Sequence, residues 1–279
     1  MTSAISARGL RKSYRDMRAV DDIDLTIHRG EIFALLGPNG AGKTTTVEIL
    51  EGHRERDGGD VSVLGTDPGT AGRAWRARLG IVLQTASDVA ELTVTETVRH
   101  FAGYYPRPTD TDEVIDAVGL TEKAGSRIRA LSGGQRRRLD VALGIIGNPE
   151  LVFLDEPTTG FDPKARRQFW SLIERLSDDG TTIVLTTHYL DEAEALADRL
   201  AVIVRGRIVA EGDPHSLGGR ATADVTVSWA DDRGSHEVRT PNPDAYVARH
   251  VAANGSMPGL QVRRPSLEDV YLELIGELS

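Results

Sequence analysis

IFALLGPNGAGKTTTVEIL, residues 32–50, decides the fold. Its first five residues are uniformly apolar, as expected of a strand covered on both faces. A glycine-rich loop follows, and then a helical pattern. Gly37, Pro38, Asn39, Gly40, Ala41, Gly42, Lys43 and Thr44 fit the spacing G-x-x-x-x-G-K-[ST], with Thr45 beyond them. Glycines at these positions let the backbone curl until successive N–H groups point inward, forming a nest for phosphate oxygens. The helix that starts there adds the positive end of its dipole. Lys43 supplies a movable charge for the outer phosphates, and the Thr44 hydroxyl is a Mg²⁺ ligand.

Outward from this loop, strands and helices alternate. VDDIDLTI places Ile23, Leu25 and Ile27 between polar residues, so residues 20–36 read as strands. Further short strands are expected at 61–64, 79–83, 151–154 and 181–187, with a mostly helical stretch over about 93–146 and a helix near 164–177. Leu190, Ala193, Leu196, Ala197 and Leu200 share one helical face, and 201–212 reads as a hairpin turning at Arg205 and Gly206. The alternation predicts a largely parallel α/β sheet. After His215 the pattern changes. SLGGRAT reads as a linker, and residues 219–279 as a small α+β appendage that ends in a helix capped by Ser266, with Asp269 three residues on. The expected domains are therefore 1–218 and 219–279.

LVFLDEP, residues 151–157, is a buried strand ending in two carboxylates. Asp155 suits a water-mediated Mg²⁺ contact, which leaves Glu156 to orient or deprotonate a water. A lone histidine at a strand end is ordinarily structural. The strand before His188 is read as parallel, however, and its C-terminal end opens into the crevice where ligands of open α/β sheets gather. His188 is therefore a site candidate. Gln84 follows the strand LGIVL and says little alone, and Tyr14 either stacks on an adenine or packs in a core. LSGGQ, residues 131–135, sets two glycines at the mouth of a helix. Ser132 is a good N-cap, and Gly133 and Gly134 leave the first N–H groups unobstructed ahead of Gln135. This is a second anion-binding end or simply a capped helix, and its target lies in the same subunit or another.

The totals narrow the classes. The chain has 279 residues, a formal net charge of −9 and no cysteine. Disulfides and thiolate metal sites are excluded, and an acidic balance disfavours nucleic acid as a partner. The N-terminus shows no apolar signal region, and no apolar run approaches the roughly 18–20 residues of a membrane helix.

In order, GPNGAGKTT, Gln84, LSGGQ, LVFLDEP, Asp162 and His188 resemble the ATP-binding cassette of ABC transporters over roughly residues 4–215. The resemblance implies a P-loop NTPase fold, with a RecA-like core, an antiparallel β subdomain and a helical subdomain. It implies ATP and Mg²⁺, held between two head-to-tail copies. Lys43 and the P-loop hold the phosphates, and Thr44, Gln84 and Asp155 serve the metal. Glu156 is then the base and His188 the γ-phosphate contact. Ser132, Gly133, Gly134 and Gln135 cap the opposite side, Asp162 crosses the interface, and Tyr14 is the adenine-stacking aromatic. Gln84 links metal and water to a separate transmembrane permease, which places the chain peripherally at the cytoplasmic face of the membrane.

The stretches around LSGGQ, HYLDEAEALADRL and SLEDVYLELIGEL look like the drug-resistance branch of ABC-2-type exporters. Two departures are visible: Val82 and Leu83 precede Gln84 where many relatives have a proline, and Phe161 stands where a leucine is common. Competing expectations are export of lipid or polysaccharide, and a non-transport ABC ATPase acting on ribosomes or DNA.

Overall fold

The chain opens with a strand that the residue pattern did not announce. β1 (Ser3–Tyr14) pairs antiparallel with β2 (Met17–His28). Register shifts between Ala7 and Leu10 and again at Lys12 interrupt its alternation, so Ala4, Ile5, Ala7 and Leu10 all turn inward without a clean period of two. The computed structural model describes residues 2–82, 91–232 and 234–276. Its two compact units are Met1–Val209 and Ala210–Ser279.

In the first unit, β3 (Ile32–Leu36) leads through the glycine loop into α1 (Lys43–Leu50). β4 (Gly58–Val63) completes a three-stranded antiparallel sheet in the order β2-β1-β4. A short α2 (Arg73–Arg76) leads to β5 (Leu79–Val82). The helical stretch resolves into α3 (Val94–Ala102), α4 (Thr111–Ala117) and α5 (Gly133–Ile145). Each begins at a side-chain cap, formed by Thr93, Asp110 and Ser132 in turn. β6 (Leu151–Asp155), α6 (Pro163–Asp178), β7 (Thr182–Thr187), α7 (Leu190–Leu196), β8 (Arg199–Val204) and β9 (Arg207–Gly212) follow.

The larger sheet runs β5-β6-β7-β3-β8-β9, and its first five strands pair in parallel. This is the α/β cassette architecture that the resemblance implied. Ile5, Leu10, Ile27, Phe33, Leu35, Ile49, Phe153 and Ile203 share one core, so the two sheets enclose α1 in common apolar packing. The helix expected to reach Leu200 stops at Leu196. Ala197 already has extended backbone, and Leu200 is a buried residue of β8. Its spacing from Ala197 fits a helical face by coincidence, because a fully buried strand carries no alternation to contradict it.

In the second unit, β10 (Val225–Asp231) lies between β11 (Gly234–Thr240) and, after α8 (Pro243–Asn254), β12 (Gln261–Arg263). Val227, Trp229 and Met257 form its core, with Tyr246 and Val247 of α8 against them. α9 (Leu267–Gly276) begins at a reciprocal cap in which the Ser266 N–H donates to Asp269 Oδ2 at 2.7 Å and the Asp269 N–H to Ser266 Oγ at 3.1 Å. Within SLGGRAT, Leu217 and Arg220 are buried.

Glu51, just past α1, is buried, with His53 Nδ1 3.2 Å from its carboxyl. Burial, reinforced by Asp155 and Glu48, pushes its pKa up to about 8. The folded chain therefore holds a proton that the unfolded chain releases above its ordinary value of 4.5. The stabilisation this gives is complete below that value and is lost as the pH rises toward about 8. Glu51→Gln is expected to change stability by less than about 1 kcal/mol at pH 5 and to stabilise by on the order of 4 kcal/mol at pH 8.5, read by denaturant unfolding at both pH values.

Candidate nucleotide site

Strand register assembles the site. β7 lies between β6 and β3, with Leu36 opposite Thr187 and Asp155 opposite Thr186. The next residues along these strands, Gly37, Glu156 and His188, therefore emerge together at the C-terminal edge of the sheet, where α/β proteins bind ligands.

The glycine loop passes close to neighbouring backbone. Gly42 has φ 108°, and a Cβ there would stand 2.2 Å from the Ala19 carbonyl oxygen. The loop is pinned further by the Gly206 N–H, which donates to the Ala41 carbonyl at 2.8 Å. No side chain caps α1, so its first N–H groups remain available to an anion. Lys43 is buried, and its ammonium group donates to the carbonyls of Gly37 at 2.7 Å and Pro38 at 3.3 Å. Desolvation lowers its pKa, and the nearby Glu156 and Asp155 carboxylates oppose that shift. Gly40, Asn39 and Thr44 are exposed, Pro38 and Thr45 half-buried.

At the acidic strand the Thr186 hydroxyl donates to Asp155 Oδ1, and the Glu156 N–H donates to the Thr186 carbonyl at 3.0 Å. Glu156 has φ 44°, an uncommon conformation for a non-glycine residue, and this bend turns its side chain out of the strand direction. Glu156 Oε1 lies 3.2 Å from His188 Nδ1. The histidine ring in turn packs on Tyr189, at 4.1 Å between centroids. Thr44 and Asp155 are hard oxygen donors of the kind Mg²⁺ takes one or two of, keeping waters and phosphates for the rest. Among the described residues there is no cluster of three His, Asp or Glu side chains able to hold a metal alone. Gln84 lies outside the described residues.

One participant was not anticipated. Arg137 is buried on α5, and its guanidinium donates to the Asp155 carbonyl at 2.7 Å and the Pro157 carbonyl at 3.1 Å. It ties the helix that starts at LSGGQ to the loop carrying Glu156. In sequence it is hidden inside Arg136–Arg138, a run of three arginines in which nothing local singles one out.

Ser132 and Gln135 form a reciprocal cap: the Gln135 N–H donates to Ser132 Oγ at 3.3 Å, and the Ser132 N–H to Gln135 Oε1 at 3.0 Å. Asp162 caps α6 by accepting from the N–H groups of Lys164 and Ala165, both at 2.9 Å. Ser132 to Gln135 and Gly160 to Asp162 line one open groove of about 890 Å³, and no residue of the phosphate loop does. Tyr14, half-buried at the end of β1, has the Arg54 guanidinium 5.3 Å and the Lys12 ammonium 5.8 Å from its ring centre.

Strand, glycine cradle, lysine and adjoining carboxylates together define a P-loop nucleotide-binding protein. Residues 20–159 match the family model described as ABC transporter. The chain is 40% identical to the "Nod factor export ATP-binding protein I" of Ralstonia nicotianae, over 99% of this chain and 94% of that protein. It is 39% identical to the "Daunorubicin/doxorubicin resistance ATP-binding protein DrrA" of Streptomyces peucetius, over 99% and 93%. A solved ATP-binding subunit of an ABC transporter shares its fold at a TM-score of 0.72 and 23% identity, covering 98% of this chain and 99% of that one. The chain belongs to the ABC transporter family; it is the ATP-binding subunit, an ATPase. No helix among the described residues is long and apolar enough to cross a membrane.

Gly42→Ala is expected to destabilise the fold by about 1–3 kcal/mol and to abolish ATP binding, because a Cβ must displace either the loop or β2. Thermal unfolding and equilibrium binding of a fluorescent ATP analogue measure the two effects separately.

Proposed function

We propose that the chain hydrolyses MgATP as a head-to-tail dimer and thereby drives a separate membrane-spanning permease that exports drug-like antibiotics. It would sit peripherally at the cytoplasmic face of the membrane. The observation that carries the dimer is the contrast between two sets of glycines. A Cβ on Gly42 would strike backbone of the same chain, whereas one on Gly133 would meet nothing within 4 Å and one on Gly134 only Ala165 Cβ, at 3.7 Å. Neither signature glycine has positive φ among the described residues. Nothing inside the subunit demands glycine there, so the demand comes from a close approach by something outside it.

On this reading the phosphates lie in the Gly37–Thr45 cradle of one copy, under the Ser132–Gly134 amides of the other. Lys43 exchanges its carbonyl partners for phosphate oxygens. Glu156 orients the attacking water and takes its proton, and His188 holds the γ-phosphate side of the pair. Thr44 and Asp155, with Gln84, would hold Mg²⁺, which would supply charge neutralisation to the phosphates. Most of the rate enhancement is then positioning and electrostatic stabilisation. Asp162, in the same groove as the signature residues, lies at the crossing between copies, and Tyr14 offers its ring to the adenine.

Export as the task is supported by both relatives, whose names specify export and drug resistance. Identity to the Nod factor export protein is as high as to the drug-resistance protein, so a cargo other than an antibiotic, such as lipid or polysaccharide, is the alternative.

Gly133→Ala is expected to leave the melting temperature unchanged or slightly raised, since alanine favours a helix over glycine by up to about 1 kcal/mol. ATP-dependent dimerisation and turnover should nevertheless fall by tenfold or more, on the order expected for a blocked contact at the reacting phosphate. Analytical ultracentrifugation with and without MgATP, paired with a phosphate-release assay, reads both. Glu156→Gln should bind ATP, cease turnover and accumulate as a dimer; turnover at the wild-type rate would remove Glu156 as the base. For the cargo, co-expression with the permease in a drug-sensitive host should lower anthracycline accumulation, and unchanged accumulation would shift the assignment to the second class.

A further inference from the structure

Glu192, on α7 four residues beyond His188, is fully buried. A carboxyl group without solvent is costly unless polar partners surround it. The polar neighbours that bear on it are the hydroxyls of Thr187 and Thr158 and the indole N–H of Trp170. The charged groups facing it are Arg166 of α6 and Arg137 of α5. Thr187 Oγ already accepts from the Tyr189 N–H at 3.0 Å, which leaves the hydroxyl proton to point elsewhere. Both Glu192 oxygens, Thr158 Oγ and Trp170 Nε1 are buried and lack a hydrogen bond of ordinary geometry among the described residues. The cluster is drawn together but not tightly closed, and such networks are energetically sensitive to the loss of any member.

The three partners come from different segments. Thr158 stands two residues past Glu156, Thr187 immediately precedes His188, and Trp170 lies on the helix that Asp162 caps. Burial, the largest influence, raises the Glu192 pKa against the pull of its neighbours. A carboxyl group offers two acceptor oxygens, which matches a ring of two hydroxyls and one N–H.

We propose that Glu192 is a positioning residue for ATP hydrolysis, its carboxyl group joining the loop behind Glu156 to the strand end ahead of His188 and so fixing the contact between those two side chains. The inference rests on the reading of Glu156 and His188 as the hydrolytic pair. Glu192 itself touches no reacting atom.

The test uses the full-length chain and compares Glu192→Leu with Glu192→Gln for MgATP turnover, KM and thermal unfolding. Leucine keeps the volume and removes every polar function, so kcat is expected to fall about tenfold or more while KM stays within about twofold. Glutamine restores one donor and one acceptor and is expected to keep kcat within about threefold of wild type. Wild-type kcat in the leucine variant overturns the proposal, and so does a glutamine variant as impaired as leucine. If the leucine variant does not fold, Thr158→Val decides: kcat lower by about threefold at constant KM supports the proposal, and unchanged kcat overturns it. Glu156→Gln and His188→Ala run alongside. Wild-type turnover in those two removes the pair on which the proposal rests, whereas their loss beside wild-type turnover in Glu192→Leu overturns the role of Glu192 alone.

Discussion

The structure depends on the register of three parallel strands. Because β7 lies between β3 and β6, and Leu36, Thr187 and Asp155 finish within one residue of the same level, three loops distant in sequence meet at one edge. The chemistry of each loop is unremarkable alone. A lysine near a helix start, a histidine after a strand and two adjacent carboxylates occur in many folds. Their convergence follows from hydrogen-bond pairing between backbones, which fixes positions more rigidly than contacts among mobile side chains would.

That edge is electrostatically demanding, and the fold answers with partners rather than exposure. Lys43 is desolvated, and two carbonyls and two nearby carboxylates offset part of that cost. Asp155 takes the Thr186 hydroxyl, and Arg137 satisfies the carbonyls on both sides of Glu156. A buried arginine bonded to main-chain carbonyls orients backbone more than it neutralises charge. Glu156 therefore leaves the strand with its direction set by its own unusual φ, by the bond from its N–H to Thr186 and by the guanidinium behind it.

How far the sequence disclosed this depended on whether the signal was local. The phosphate loop was legible because Gly37, Gly42, Lys43 and Thr44 must stand at fixed spacing to surround a phosphate, and LVFLDEP because four buried strand residues end in two charges. β1 was hidden because its bulges break the alternation that marks a strand. Leu200 was misplaced because a fully buried strand has no periodicity of its own. Arg137 was hidden because burial is a tertiary property. Its neighbour Arg136 is exposed, and nothing local distinguishes the two. The same holds for Glu51 and Glu192, whose proton affinities arise from surroundings assembled across the fold.

LSGGQ is a different kind of case, since the structure sharpens its puzzle rather than resolving it within one chain. Ser132 and Gln135 satisfy each other in a reciprocal cap, and the motif needs no further partner to start α5. Alanines at 133 and 134 would serve the helix better, at lower entropic cost. The glycines therefore lower local stability without local return, unlike Gly42, whose φ and whose proximity to Ala19 leave no alternative. Conformational cost retained on an open groove is most simply explained by an approach too close for a methyl group. Ser132, the two glycines and Asp162 face that groove together. The phosphate cradle of the same chain contributes no residue to it, which supports the proposed head-to-tail pairing, in which a second copy brings its own cradle against this groove.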